Sequence, residues 1–208
     1  MINKALCLML VLFSSPLLAK EWAFDVFLDK SKIGLHTFKL DQNNFLTSRA
    51  QFIVKVFFIN AYSYDHTAKE QWQGDCLSGL VANTIEDKVV TNIKGTKKEA
   101  GFEINNSKAK QILPQCVMTF AYWNPKILLQ KKLLNPQNAE YLDTTFEDLG
   151  IKTINVKGMP TETQHYKLNG SLDGKTKLNI ELWYAGNTDW VALKSTTPEG
   201  YEIIYSLK

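Results

Sequence analysis

The sequence predicts an all-β protein, a large curved antiparallel sheet forming a half or nearly closed barrel with one or two short helices. Three observations carry that prediction. Apolar and polar residues alternate with period two over most of the chain, turn-forming residues punctuate the alternating runs, and the alternation fails in only one stretch.

In the first run Trp22, Phe24, Val26 and Leu28 share a face opposite Ala23, Asp25 and Asp29. A turn at Asp29-Lys30-Ser31-Lys32 leads to a second run, in which Gly34, His36, Phe38 and Leu40 alternate with Ile33, Leu35, Thr37 and Lys39. Asn43-Asn44 marks the next turn. The third run places Leu46, Ala50, Phe52, Val54, Val56 and Phe58 on one side. Its continuation aligns Tyr62, Tyr64, His66, Ala68, Glu70 and Trp72. Near the C-terminus the sets are Leu178, Ile180, Leu182, Tyr184 and Tyr201, Ile203, Tyr205, Leu207, with turns expected at Asn169-Gly170, Asp173-Gly174 and Glu199-Gly200.

The exception runs from Val117 to Leu134, where 11 of 18 residues are apolar without alternation. Asn124 as N-cap and Pro125 at the first helical position predict a helix that ends before Asn135-Pro136. Such a helix either plugs one end of the barrel or acts as a lid over a cavity. Lys126, Lys131 and Lys132 mark either its solvated face or one that meets an anionic surface.

Residues 1–19 read as a cleavable export signal: Lys4 precedes an apolar run from Ala5 to Phe13, then Pro16 and the small residue Ala19. The run is too short for a transmembrane anchor, which needs about 20 apolar residues. The mature chain, 20–208, is therefore expected to be a single β-rich domain in the bacterial periplasm. No membrane-spanning segment is expected in it, and transient contact with a membrane surface is the only membrane association foreseen. The full sequence is nearly balanced in charge, at 24 Lys+Arg against 21 Asp+Glu, losing Lys4 with the signal lowers the net charge from +3 to +2, and Arg49 is the one arginine. That argues against a nucleic-acid partner, which requires a concentrated basic surface.

Cys76 and Cys116 remain after signal removal. An even cysteine count in an exported chain favours a disulfide, and two free buried thiols are the alternative. No Cys-x-x-Cys is present, and the esterase, zinc-protease, phosphate-loop and dinucleotide signatures are also missing. His36, His66 and His165 lack metal-ligand spacing, so neither a metal nor a cofactor is expected.

The distinctive feature is a polar minority on aromatic faces. His36 shares its face with Phe38, and His66 and Glu70 share theirs with Tyr62, Tyr64 and Trp72. These are either satisfied core or rim residues, or the orienting groups of a mostly apolar pocket. His66 and Glu70, four residues apart on a strand, are separated by roughly 13 Å and form no direct dyad. The candidate ligand-binding residues are His36, Tyr62, Tyr64, His66, Glu70 and Trp72, with Tyr122 and Trp123 from the irregular stretch.

Several segments together resemble an uncharacterised exported bacterial family, one of the domains of unknown function. They are Trp22-Ala23-Phe24-Asp25-Val26, Ile33-Gly34-Leu35-His36, Tyr62-Ser63-Tyr64-Asp65-His66, Glu70-Gln71-Trp72 with Cys76-Leu77, Ala121-Tyr122-Trp123-Asn124-Pro125, Leu133-Leu134-Asn135-Pro136-Gln137 and Leu182-Trp183-Tyr184. Lys30 departs from the Gly such families often place after the first strand's Asp. Related exported families resemble lipoprotein carriers, which implies a curved sheet with an apolar interior and no activity to carry over. The expected function is a periplasmic binding or carrier protein for a hydrophobic, lipid-like ligand. The alternatives are an envelope enzyme acting on a lipid-like substrate, with His36, His66 and Glu70 as acid-base candidates, and a structural or assembly protein of the envelope.

Overall fold

A computed structural model of the chain describes residues 19–56, 59–106, 109–186, 188–197 and 199–208. The expected export signal, apart from Ala19, and Phe58 lie outside the described residues.

Fourteen described strands form one antiparallel sheet: β1 (Lys20–Leu28), β2 (Ser31–Leu40), β3 (Phe45–Val56), β4 (Ile59–Gln73), β5 (Cys76–Glu86), β6 (Val89–Lys98), β7 (Gly101–Asn106), β8 (Lys110–Leu113), β9 (Lys132–Leu134), β10 (Tyr141–Val156), β11 (Met159–Leu172), β12 (Lys175–Ala185), β13 (Asp189–Thr196) and β14 (Glu202–Leu207). Their spatial order is β8-β7-β6-β5-β4-β3-β2-β1-β14-β13-β12-β11-β10-β9. Two meanders are therefore joined where β1 pairs with β14, and the sheet curls without closing. Among the described residues no helix is long and apolar enough to cross a membrane.

Local sequence explains the hairpins. Asp87-Lys88, Lys157-Gly158 and Asp173-Gly174 have positive φ at both central residues, the two-residue turn whose twist matches paired strands. Asn169-Gly170 is not the turn that the sequence suggests. Both residues lie within β11, where Gly170 pairs with Leu178 and is buried among the core side chains. Leu178 and Leu142 already approach where a Cβ would stand, at 3.3 and 3.4 Å.

Curvature has an identifiable source. The registers slip at Val26/Phe27, Val54/Lys55, Gln71/Trp72, Asp148/Gly150, Gly170/Ser171 and Trp183/Tyr184. Bulges of this kind bend a strand and increase its twist, which lets one sheet wrap its apolar face inward. Inside the wrap, Phe24 packs on Trp190 at 4.3 Å and Phe38 meets the same indole edge-on at 5.1 Å.

The irregular stretch differs from the expected helix. Asn124 does cap, accepting from the Lys126 backbone N–H, but the helix is a 3-10 turn of five residues, Pro125–Leu129. Only Ile127 of that turn is buried, and Leu129 is 79% exposed, so no apolar stripe of helical period exists to extend it. Residues 132–134 pair with the edge of β10 instead. The lysines are engaged locally: Lys126 with Asp75 at 2.6 Å and Lys132 with Asp143 at 2.8 Å.

This stretch carries the chain from the β8 edge to the β9 edge. Its backbone is tied on both sides, because Leu77 N–H donates to Val117 O at 2.8 Å and Leu134 N–H donates to Met118 O at 2.9 Å. Cys76 and Cys116 are disulfide-bonded beside the first of these ties, with Cα atoms 4.8 Å apart. Linking residues 40 apart restricts the unfolded chain by about 4 kcal/mol in the loop-entropy description. Replacing both cysteines by serine should lower the urea unfolding free energy by up to that amount. Unfolding curves that superimpose on wild type would show that the backbone ties hold the crossing segment unaided.

Candidate functional site

Strands β1 to β4 with β12 to β14, and the crossing segment, enclose a cavity of about 700 Å³. Its size falls within the range of small-molecule sites. Small lining residues make the room: Ser48, Ala50 and Ala68 lie near the middle of β3 and β4. Gly34 is required sterically, because a Cβ there would stand 1.8 Å from the Gln51 carbonyl oxygen.

The strand registers give the cavity two ends. Leu28, Tyr62, Glu86, Glu199 and Tyr201 lie at one end, near the β1–β2, β5–β6 and β13–β14 turns and the start of β4, where Tyr201 is 53% exposed. Leu46, Glu70 and residues Thr119 to Trp123 form the other, closed end. Asn135, Pro136 and Gln137 add to the wall. The 3-10 turn itself contributes nothing to the lining, so neither a helical plug nor a helical lid is present. The irregular segments on either side of the turn, Thr119 to Trp123 and Asn135 to Gln137, line it instead.

Seven of the eight residues singled out as ligand-binding from sequence line this cavity: His36, Tyr62, Tyr64, His66, Glu70, Tyr122 and Trp123. Trp72 does not. It is buried to 2% behind the wall, where it packs edge-on against Trp123 at 5.4 Å and donates its indole N–H to Glu70 at 3.1 Å. Strand parity places Trp72 correctly on the inward face, but the register slip at Gln71/Trp72 and the crossing segment put it in the core. Residues that sequence reading did not single out include Tyr205, Thr119 and Phe52. Tyr205 was on a recognised inward face, whereas nothing in the sequence signals that Thr119 belongs here.

The polar groups are arranged singly. His36 stacks on Phe38 at 4.0 Å and bridges Ser48 Oγ at 2.7 Å and the Tyr205 hydroxyl at 3.3 Å. His66 Nδ1 lies 2.9 Å from Thr84 Oγ1, whose hydroxyl donates to Gln137 O at 3.2 Å. With the hydroxyl proton committed, Nδ1 must be the donor, which leaves His66 Nε2 as an acceptor with no partner among the described residues. Glu70 Oε2 accepts from Trp72 Nε1 and from Thr119 Oγ1 at 3.2 Å, while Oε1 has no such partner. Tyr62 donates to Glu86 at 2.9 Å. Among the described residues no hydrogen bond joins His36, His66 and Glu70 to one another.

Burial governs protonation here. It pushes Glu70 up to about 7, against the opposing pull of its two donors, and pushes His66 down to about 4. His36 is held well below its ordinary value by burial and by nearby His66. The third histidine, His165, is outside the cavity, stacked on Trp183 at 4.4 Å and 2.8 Å from Glu181. Among the described residues no three metal-binding side chains gather.

These directions fix a pH dependence. The folded Glu70 keeps a proton that the unfolded chain releases above about 4.5, so its contribution is fully present below that pH and is lost as pH rises to about 7. His66 acts oppositely: between about 4 and 6.5 the unfolded chain binds a proton that the fold refuses, so stability rises with pH there. Glu70→Gln removes only the first effect. Its stability relative to wild type should therefore rise between pH 5 and pH 8, by up to about 3 kcal/mol at about 1.4 kcal/mol per pKa unit. Urea unfolding at both pH values checks this, and parallel stability profiles would show that Glu70 ionises normally in the fold.

The comparisons with known proteins bear on fold and family. A crystal structure of a β-barrel-like protein of the domain of unknown function DUF1849 from Brucella abortus is similar, with a TM-score of 0.65 and 13% identity. The match covers 91% of this chain and 95% of that one, and at this identity it speaks for the fold. No curated protein matches. The family model for the domain of unknown function DUF6134 matches residues 24–208, and the chain belongs to that family.

Proposed function

We propose that this protein is an exported, periplasmic binding or carrier protein for a hydrophobic, lipid-like ligand held inside the curled sheet. The observation that carries the reading is the cavity of about 700 Å³, walled by aromatic rings and small side chains and reached from one end. A purely structural protein would pack that volume, because interiors approach crystalline density. An enzyme would need reacting groups brought together, and His36, His66 and Glu70 each bond elsewhere.

Export is part of the proposal. It rests on the signal-like first nineteen residues and on the disulfide, which persists in an oxidising compartment. N-terminal sequencing of protein from an envelope fraction should begin near Lys20. Intact chain starting at Met1 in the cytoplasmic pool would overturn the placement.

Binding is tested with N-phenyl-1-naphthylamine, an uncharged probe that fluoresces in apolar surroundings. Wild type should bind it saturably. Ala50→Leu and Ala68→Leu fill the cavity from its wall and should each weaken binding about tenfold, with circular dichroism unchanged. Absence of saturable binding, or variants that bind like wild type, would sink the carrier reading.

A further inference from the structure

We propose that the ligand is a single-chain amphiphile whose head is an uncharged hydrogen-bond donor, a hydroxyl or an amide, seated at the closed end against Glu70. This inference rests on the binding function proposed above and specifies its ligand class.

The first argument is charge. No lysine or arginine is among the residues that line the cavity. Its formal charges are the carboxyl groups of Glu70 at the closed end and of Glu86 and Glu199 at the mouth. An anionic head that entered first would be desolvated beside Glu70 with no cation to pair with. An anionic head left at the mouth would sit beside Glu86 and Glu199. Both orientations disfavour a fatty acid carboxylate or a phosphate.

The second argument is unmet hydrogen-bonding capacity. Glu70 is only 3% exposed, and its Oε1 has no partner among the described residues. His66 is equally buried, and the hydroxyl chain through Thr84 to Gln137 leaves its Nε2 as a bare acceptor along the path. Acceptors that face a cavity and have no protein donor are free to bond a donor from whatever occupies the space. A hydroxyl or amide supplies one donor or two. An ammonium carries three, and Oε2 already accepts from Trp72 and Thr119, so the closed end cannot satisfy it. The remaining lining along the length of the cavity, including Phe52, Tyr64, Ile180 and Leu193, suits an alkyl chain.

The experiment is displacement of bound N-phenyl-1-naphthylamine from the mature chain at pH 8 by compounds with the same sixteen-carbon tail. Hexadecanol and hexadecanamide should displace at least tenfold more strongly than palmitate or hexadecyl phosphate. They should also exceed hexadecylammonium, the primary ammonium with three N–H donors. Equal or stronger displacement by either anion, or by the ammonium, would overturn the head-group inference while leaving the cavity as a binding site. If the probe itself does not bind saturably, the binding function fails instead, and the two failures are thus distinct.

A pair of variants locates the head. Glu70→Leu should weaken hexadecanamide about tenfold more than it changes probe binding, and Glu70→Gln, which keeps a carbonyl acceptor, should stay within about threefold of wild type. Folding of each is checked by urea unfolding before titration. Undiminished hexadecanamide binding by a folded Glu70→Leu would overturn the seat at Glu70.

Discussion

The chain has to travel from one edge of its sheet to the other, and it does so by the short route across one end of the curl. Everything about the cavity follows from how that crossing is made. A backbone that runs through a protein interior must find partners for its N–H and C=O groups. The crossing segment finds them in Leu77, in Leu134 and in the Tyr184 hydroxyl, which donates to Tyr122 O at 2.7 Å. Had it continued the short helix that Asn124 and Pro125 start, the backbone would have been self-sufficient and free to fill the barrel. As an irregular run of bends and turns it closes one end as a floor, and the volume above it stays open.

The same floor explains why a carboxyl group is tolerated in the core. Glu70 belongs to β4, and its two donors come from different places: Trp72 in the same strand beyond the register slip, and Thr119 on the crossing segment. Those donors lower its proton affinity and burial raises it, with burial the larger effect. The two histidines are driven the other way and stay neutral. The cavity thus combines polar atoms with little fixed charge, a state that full solvation or full packing would each abolish.

The inward faces of β1, β2, β4, β12 and β14 were legible because strand parity is strict, and a face holding Trp22, Phe24 and Val26 has one way to turn. Parity names the face but not the depth. Trp72 and Glu70 share a face, yet one is core and the other cavity wall, because a bulge and a distant segment intervene. Asn169-Gly170 has the composition of a turn and lies in a strand, where the lack of a side chain is used for packing against Leu178 and Leu142. The short helix was legible at its start, from Asn124 and Pro125, and illegible at its end, because residues 132–134 take their hydrogen bonds from a strand edge remote in sequence. Local signals fix where an element begins, and non-local partners decide how far it goes.

Magnitudes also show that the cavity is not a packing residue. Voids left by core truncations cost about 24 cal/mol per Å³, so 700 Å³ kept dry would cost on the order of 15 kcal/mol. That matches or exceeds the whole stability of a typical domain, about 5–15 kcal/mol. A fold with this interior therefore contains solvent or ligand whenever it is stable. Solvent accounts for the polar atoms of His66 and Glu70, which give water places to bond. It does not account for Phe52 and Tyr64 stacked at 5.3 Å along the same wall, or for Ser48, Ala50 and Ala68 where larger side chains would close the gap. An aromatic wall kept clear by small residues, with polar atoms only at particular points, matches a long apolar molecule with one polar end better than it matches water.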